Sequence, residues 1–117
     1  MPPLTATEKV QIGARAALEK KAIGLVVLDL HGISGVADFF LICSGNSTTQ
    51  METIIEAIRL ALKAAGIRQH HSEGTAESGW RLLDYGDVVM HVFLDETREF
   101  YSLERLWGDA PLLSGGR

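Results

Sequence analysis

The stretch GWRLLDYGDVVMHVF, residues 79–93, decides how this chain folds. Two apolar runs meet at Gly86, with an acid on each side of the meeting point. Trp80, Leu82 and Asp84 alternate with Arg81, Leu83 and Tyr85, the two-residue period of a β-strand. A second β-rich run, DVVMHVFL, follows at once, so the pattern predicts an antiparallel hairpin with its corner at Gly86. Two registers are open. A two-residue turn at Tyr85-Gly86 puts Asp87, Val89, His91 and Phe93 on the face of Trp80. A three-residue turn puts Val88, Met90 and Val92 there instead. In both registers each face carries apolar side chains. Either both are covered within the monomer, or one is left for a partner.

Asp84 and Asp87 invite a catalytic reading, as paired acids of a glycosidase or as a metal clamp. Acids beside a glycine are also what a tight turn wants on structural grounds. No further carboxylate and no plausible base accompany them, so the turn reading is preferred.

Working outward, GLVVLDL (residues 24–30) and FFLICS (39–44) are short, apolar and β-branched or aromatic, as strands covered on both faces are. Between them lies HGISGVAD, a connection with two glycines. The helix signal is clearest after residue 46. Ser47-Thr-Thr-Gln50 predicts a capping box, and Met51, Ile54, Ile55, Ile58, Leu62 and Ala65 recur at helical spacing. Glu52, Glu56, Arg59 and Lys63 take the outer face, and Gly66 ends the helix. An earlier helix is expected over residues 5–21, opened by Thr5 and Glu8, with a narrow alanine-rich stripe suited to packing on a sheet. Residues 67–79 are polar and irregular, with a short strand expected at 67–71. DETREFYSLERLWG predicts a helical turn or two with Phe100, Leu103 and Trp107 on one face, and residues 108–117 read as a loose tail. The expected architecture is α/β: one domain over residues 1–117, a mixed sheet flanked by helices.

Composition narrows the function. Eleven Lys and Arg against fifteen Asp and Glu give a formal charge of −4, the wrong sign for a domain that grips nucleic acid mainly by its phosphates. A basic protein inside a polyanion-rich assembly is a better partner for it than the polyanion. The lone Cys43 excludes an internal disulfide and a cysteine-built zinc site, and a reducing cytoplasm fits. The first twenty residues mix charges without an apolar core, so no secretory signal is read there, and no run is long enough to cross a bilayer.

Other chemistry-bearing residues have plainer readings. Gly45, Asn46 and Ser47 pass from strand to helix, where an anion could sit, but no lysine or further glycine completes a phosphate loop. Ordinary capping explains them. Cys43 could be a nucleophile with His91 or His31 as base, yet inside FFLICS it reads as a small buried hydrophobe. His70 and His71, as strand neighbours, point to opposite faces and cannot share a metal ion.

Three stretches together, VVLDLHGISGVADFFLICSGNSTTQ, WRLLDYGDVVMHVF and REFYSLERLW, resemble the ribosomal silencing factor family, also called Iojap-like. The resemblance covers residues 21–107. It implies a nucleotidyltransferase-like α/β fold lacking the catalytic acids, and a protein without enzymatic activity, cofactor or metal. It further implies binding to the large ribosomal subunit through its L-fourteen protein, which blocks small-subunit association and represses translation under nutrient limitation. A homodimer when free and a cytoplasmic location are implied too, with little direct nucleic-acid binding and no membrane. The contact surface would fall on Trp80, Leu82, Asp84, Tyr85, Asp87 and Met90. The alternative from the residues alone is a nucleotide-binding or nucleotidyltransferase-like enzyme using Gly45 to Ser47.

Overall fold

Thr5 starts the first helix, α1 (Ala6–Glu19), through a reciprocal capping box. Its hydroxyl accepts from the Glu8 amide at 3.1 Å, and Glu8 Oε1 accepts from the Thr5 amide at 2.9 Å. The helix ends short of residue 21, because Lys21 turns left-handed with φ 64°. The structure, a computed structural model, describes residues 5–31, 37–101 and 112–115, with the backbone alone for 99–101 and 112–115.

Strands β1 (Ile23–Asp29) and β2 (Phe39–Gly45) follow and pair antiparallel, Val27 opposite Leu41. Helix α2 (Thr48–Ala64) is next. Only half of its expected capping box forms. Ser47 Oγ accepts from the Gln50 amide at 3.1 Å, but the Gln50 side chain goes elsewhere. Its Oε1 accepts from the Asn46 amide, and its Nε2 donates to the carbonyls of Lys20 and Lys21 at 3.3 and 3.1 Å. Gln50 therefore ties the start of α2 to the end of α1.

The strand expected at 67–71 lies later, as β3 (His71–Thr75). Ile67 still donates to Leu62 of α2, and ladder bonding to the next strand begins only where the His70 amide reaches the Asp84 carbonyl at 2.8 Å. Strands β4 (Trp80–Asp84) and β5 (Val88–Leu94) form the hairpin, and α3 (Asp95–Tyr101) continues directly from β5. Of the closing helical face, Leu103, Trp107 and the Phe100 side chain lie outside the described residues. The tail is not loose throughout: residues 112–115 form β6 (Leu112–Gly115) against β1.

The sheet order is β3-β4-β5-β2-β1-β6. β2 and β5 run parallel and every other pair antiparallel, so the sheet is mixed and the class is α/β, as expected. A parallel pair needs a crossover, and α2 lies on it. One face carries Leu25, Val27, Leu41, Cys43, Leu83 and Met90, and packs on Val10 and Ala17 of α1 and Ile54, Ile58 and Leu62 of α2. At Gly13 of α1 an added Cβ would stand 2.5 Å from Met90 Cε, so the missing side chain lets the helix sit down on β5. The opposite face gathers Val26, Leu28, Ile42, Val89 and Phe93, with Phe40, Trp80 and Leu82 only partly buried around them.

Gly86 holds φ 89° at the hairpin corner, a conformation costly for any residue with a Cβ. Gly86→Ala should destabilise the fold by about 1–2 kcal/mol, seen as a melting temperature several degrees lower. An unchanged melt would show that the corner is not constrained.

Candidate docking surface at the hairpin

The corner settles the register. The Tyr85 amide donates to the Val88 carbonyl at 2.9 Å, so the two central turn residues are Gly86 and Asp87, one position later than Tyr85-Gly86. Asp84 Oδ1 accepts from the Gly86 amide at 2.8 Å and holds the glycine in its left-handed conformation. Trp80 then pairs with Phe93, Leu82 with His91, and Asp84 with Val89. The face composition is that of the two-residue alternative, although the turn residues differ.

Asp87 serves the fold. Lys9 of α1 places its Nζ 2.8 Å from Asp87 Oδ1, and the Asp87 carbonyl accepts from the Asp38 and Phe39 amides at 2.7 and 3.2 Å. Its charge is matched, and it ties the corner to α1 and to the start of β2. Asp84 makes no ion pair among the described residues, so its carboxylate keeps a formal charge available beside the turn.

The six expected partner-contact residues are thus divided. Trp80, Leu82 and Asp84 stand together on the face away from α1 and α2, each half-buried. Tyr85 and Met90 lie on the helix-covered face, and Met90 is 0% exposed beneath α1. Strand alternation separates them: a residue odd in register with Trp80 cannot share its face. Met90 is a core residue, and Asp87 is turned into an ion pair.

The sequence reading placed His91 and Phe93 beside Trp80 in only one of its two registers and gave them no role in shaping it. His91, 4% exposed, lies across from Leu82, and its Nδ1 accepts from the Trp80 indole N–H at 3.3 Å. The two rings stack at 6.4 Å, the Phe93 ring also lies stacked on His91 at 6.4 Å, and Phe40 meets His91 edge-on at 4.7 Å. A neutral imidazole accepting at Nδ1 carries its proton on Nε2, and that buried N–H has no hydrogen-bond partner among the described residues. Burial pushes the His91 pKa down to about 4. Beyond β4, Glu73 pairs with Leu82 and its Oε2 lies 2.9 Å from His71 Nε2, adding a second exposed acid to the same edge. Alternation alone places His91 beside Trp80 in one of the two registers, whereas Glu73 escaped because the strand was expected at 67–71.

The rival sites have structural occupations. Cys43 is fully buried, and burial pushes its thiol up to about 12 against the opposing charge of Arg98. Ser47 and Asn46 are engaged with Gln50, and the shallow groove beside them is walled by Asp95 and Glu96, which repel a phosphate. Among the described residues no three His, Cys, Asp or Glu side chains converge to hold a metal ion.

The family model described as "Ribosomal silencing factor during starvation" matches residues 3–115. The chain belongs to the ribosomal silencing factor family. It is 48% identical over 103 residues to the ribosomal silencing factor RsfS of Bacillus subtilis, covering 88% of this chain and 87% of that one. It is also 38% identical over 100 residues to the chloroplastic protein Iojap of Zea mays, covering 83% of this chain and 42% of the plant protein. A crystal structure from Chromobacterium violaceum superposes with a TM-score of 0.86 at 30% identity, covering 90% and 88% of the two chains. One from Bacillus halodurans gives 0.81 at 40% identity, covering 92% and 98%. The family's role is translation regulation, and its association with the ribosome fits a ribosomal partner.

Buried His91 makes stability depend on pH in a defined sense. Folded, it refuses a proton down to about pH 4, whereas an unfolded imidazole takes one near 6.5. Between these values the unfolded chain binds more protons, so stability is full above about 6.5 and falls as pH drops towards 4, by up to about 3 kcal/mol. Urea titrations at pH 7, 5.5 and 4.5 should show a shallower acid-side loss in His91→Phe than in the wild type. Parallel profiles for the two proteins would contradict this.

Proposed function

We propose that this protein silences translation by docking on the large ribosomal subunit through the L-fourteen ribosomal protein and standing where the small subunit must join. The observation that carries the reading is the aromatic and acidic ribbon formed by Trp80, Leu82 and Asp84 on the sheet face away from the helices. Partly buried apolar side chains ringed by polar ones are the anchors that dominate interface energetics. Asp84 and Glu73, with the chain's net charge of −4, suit a basic partner such as a ribosomal protein.

The mechanism is steric. A bound domain with principal extents of 39 × 32 × 24 Å excludes a second large body from the surface it covers, and no bond need be made or broken. Silencing then follows occupancy and is relieved by excess small subunits competing for overlapping surface, and assembled ribosomes resist because the site is already covered. In this reading the protein is a non-enzyme of the cytoplasm, repressing translation when nutrients are short, and a homodimer when off the ribosome. The occupied state of Ser47, Asn46 and Cys43 supports the non-enzymatic reading over a nucleotidyltransferase.

Sedimentation of the purified protein with separated subunits tests the proposal. It should co-migrate with large subunits and prevent their joining to small ones. Trp80→Ala should weaken binding by about 2 kcal/mol or more, roughly 30-fold, while the buried Met90→Leu change leaves affinity intact. Co-migration with the small subunit alone, or normal joining at saturating protein, would overturn it.

A further inference from the structure

The chain's charges are not evenly spread. At the C-terminal end of α2 an open groove of about 610 Å³ is lined by Arg59, Lys63, Arg68, Leu60, Glu56 and Tyr85. Arg59, Lys63 and Arg68 are all exposed, and none makes an ion pair among the described residues. Three unpaired cations face one acid, in a chain that is acidic as a whole. Arg59 and Lys63 are one helical turn apart, so their side chains rise side by side about 5–6 Å apart at their bases, and Arg68 follows from the loop beyond Gly66.

We infer that this groove grips RNA phosphates bordering the ribosomal docking site, as a second contact beside the Trp80 ribbon. The inference rests on the proposed ribosomal function. Like charges left unpaired around one concavity repel each other and are relieved by a polyanion. The groove is open, and its cations are solvated rather than buried, which suits an extended chain of phosphates better than one small enclosed anion. Leu60, 58% exposed, offers apolar surface against which a base can lie. Arg59 lies close enough to the Tyr85 hydroxyl to oppose the upward pKa shift that burial imposes on it.

Position completes the case. Tyr85 forms part of the groove wall and directly follows Asp84, the last residue of β4. The ribbon and the groove therefore lie on opposite faces of the sheet but share one corner. A ribosomal protein seated on the ribbon is itself embedded in RNA, so phosphates beside it come round that corner within reach of Arg59, Lys63 and Arg68. The net charge of −4 still excludes RNA as the main grip, and the groove adds a local contact to a protein-led interface.

The test compares the wild type, the Arg59→Ala/Lys63→Ala/Arg68→Ala variant and Trp80→Ala. Each is titrated with large subunits across a potassium chloride series, and with the isolated L-fourteen protein. All three groove substitutions are at exposed positions, and a thermal melt of the variant checks that it folds. Wild-type affinity for subunits should fall with salt. The triple variant should bind subunits at least tenfold more weakly at low salt and lose about 2 from the slope of log affinity against log salt, while binding the isolated protein normally. Equal affinity and slope for subunits would overturn the groove contact, with loss in Trp80→Ala leaving the docking proposal standing. Weaker binding of the triple variant to the isolated protein would overturn it too, by placing the groove in the protein interface. Wild-type protein that binds neither target sinks the docking proposal itself, and with it the groove.

Discussion

The parity of the β4–β5 pairing governs what this molecule can present to anything else. Asp84 Oδ1 fixes the Gly86 amide, Tyr85 closes on Val88, and from there every residue of the ribbon is assigned to a face. A slip of one residue would carry the β5 set of Val89, His91 and Phe93 under the helices and bring Val88, Met90 and Val92 beside Trp80. The fold guards against that slip from several sides. Lys9 holds Asp87 from α1, the Asp38 and Phe39 amides hold its carbonyl, and His70 holds the carbonyl of Asp84. The corner is thus the junction of α1, β2, β3, β4 and β5, and the charge of Asp87 is spent on geometry.

With the register fixed, the two sheet faces take different work. The helix side is a close-packed core, tight enough that a Cβ on Gly13 would force the end of the Met90 side chain to move. The other side is built around a histidine held among three aromatic rings, which keeps the Trp80 indole in one orientation through its N–H. An aromatic anchor that is already ordered loses little further freedom on binding, which favours affinity. The same arrangement leaves the His91 Nε2 proton donor buried without a partner among the described residues.

The class of fold was legible in the sequence because its signals were local and mutually consistent. Alternation around Gly86, the capping residues Thr5 and Ser47, and the helical spacing from Met51 to Leu62 each act within a few residues. What escaped depended on distant partners. Gln50 abandons its own helix start because the Lys20 and Lys21 carbonyls come within reach only in the folded chain. Residues 112–115 have little strand character alone and become one by pairing with β1. That Trp80, Leu82 and Asp84 share one face followed from alternation, whereas the burial of Met90 and the engagement of Asp87 required knowing where α1 lies. The basic groove joins residues from α2, the loop after it and the hairpin corner, so no single stretch announces it.

The central claim is that one face of one ribbon meets the ribosome. Amide hydrogen exchange, compared between the free protein and the protein bound to large subunits, tests it most directly. The account predicts added protection at β3 and β4, centred on residues 71–84, with α1 exchanging as it does in the free protein. Protection concentrated on α1, with β3 and β4 exchanging unchanged, would contradict it.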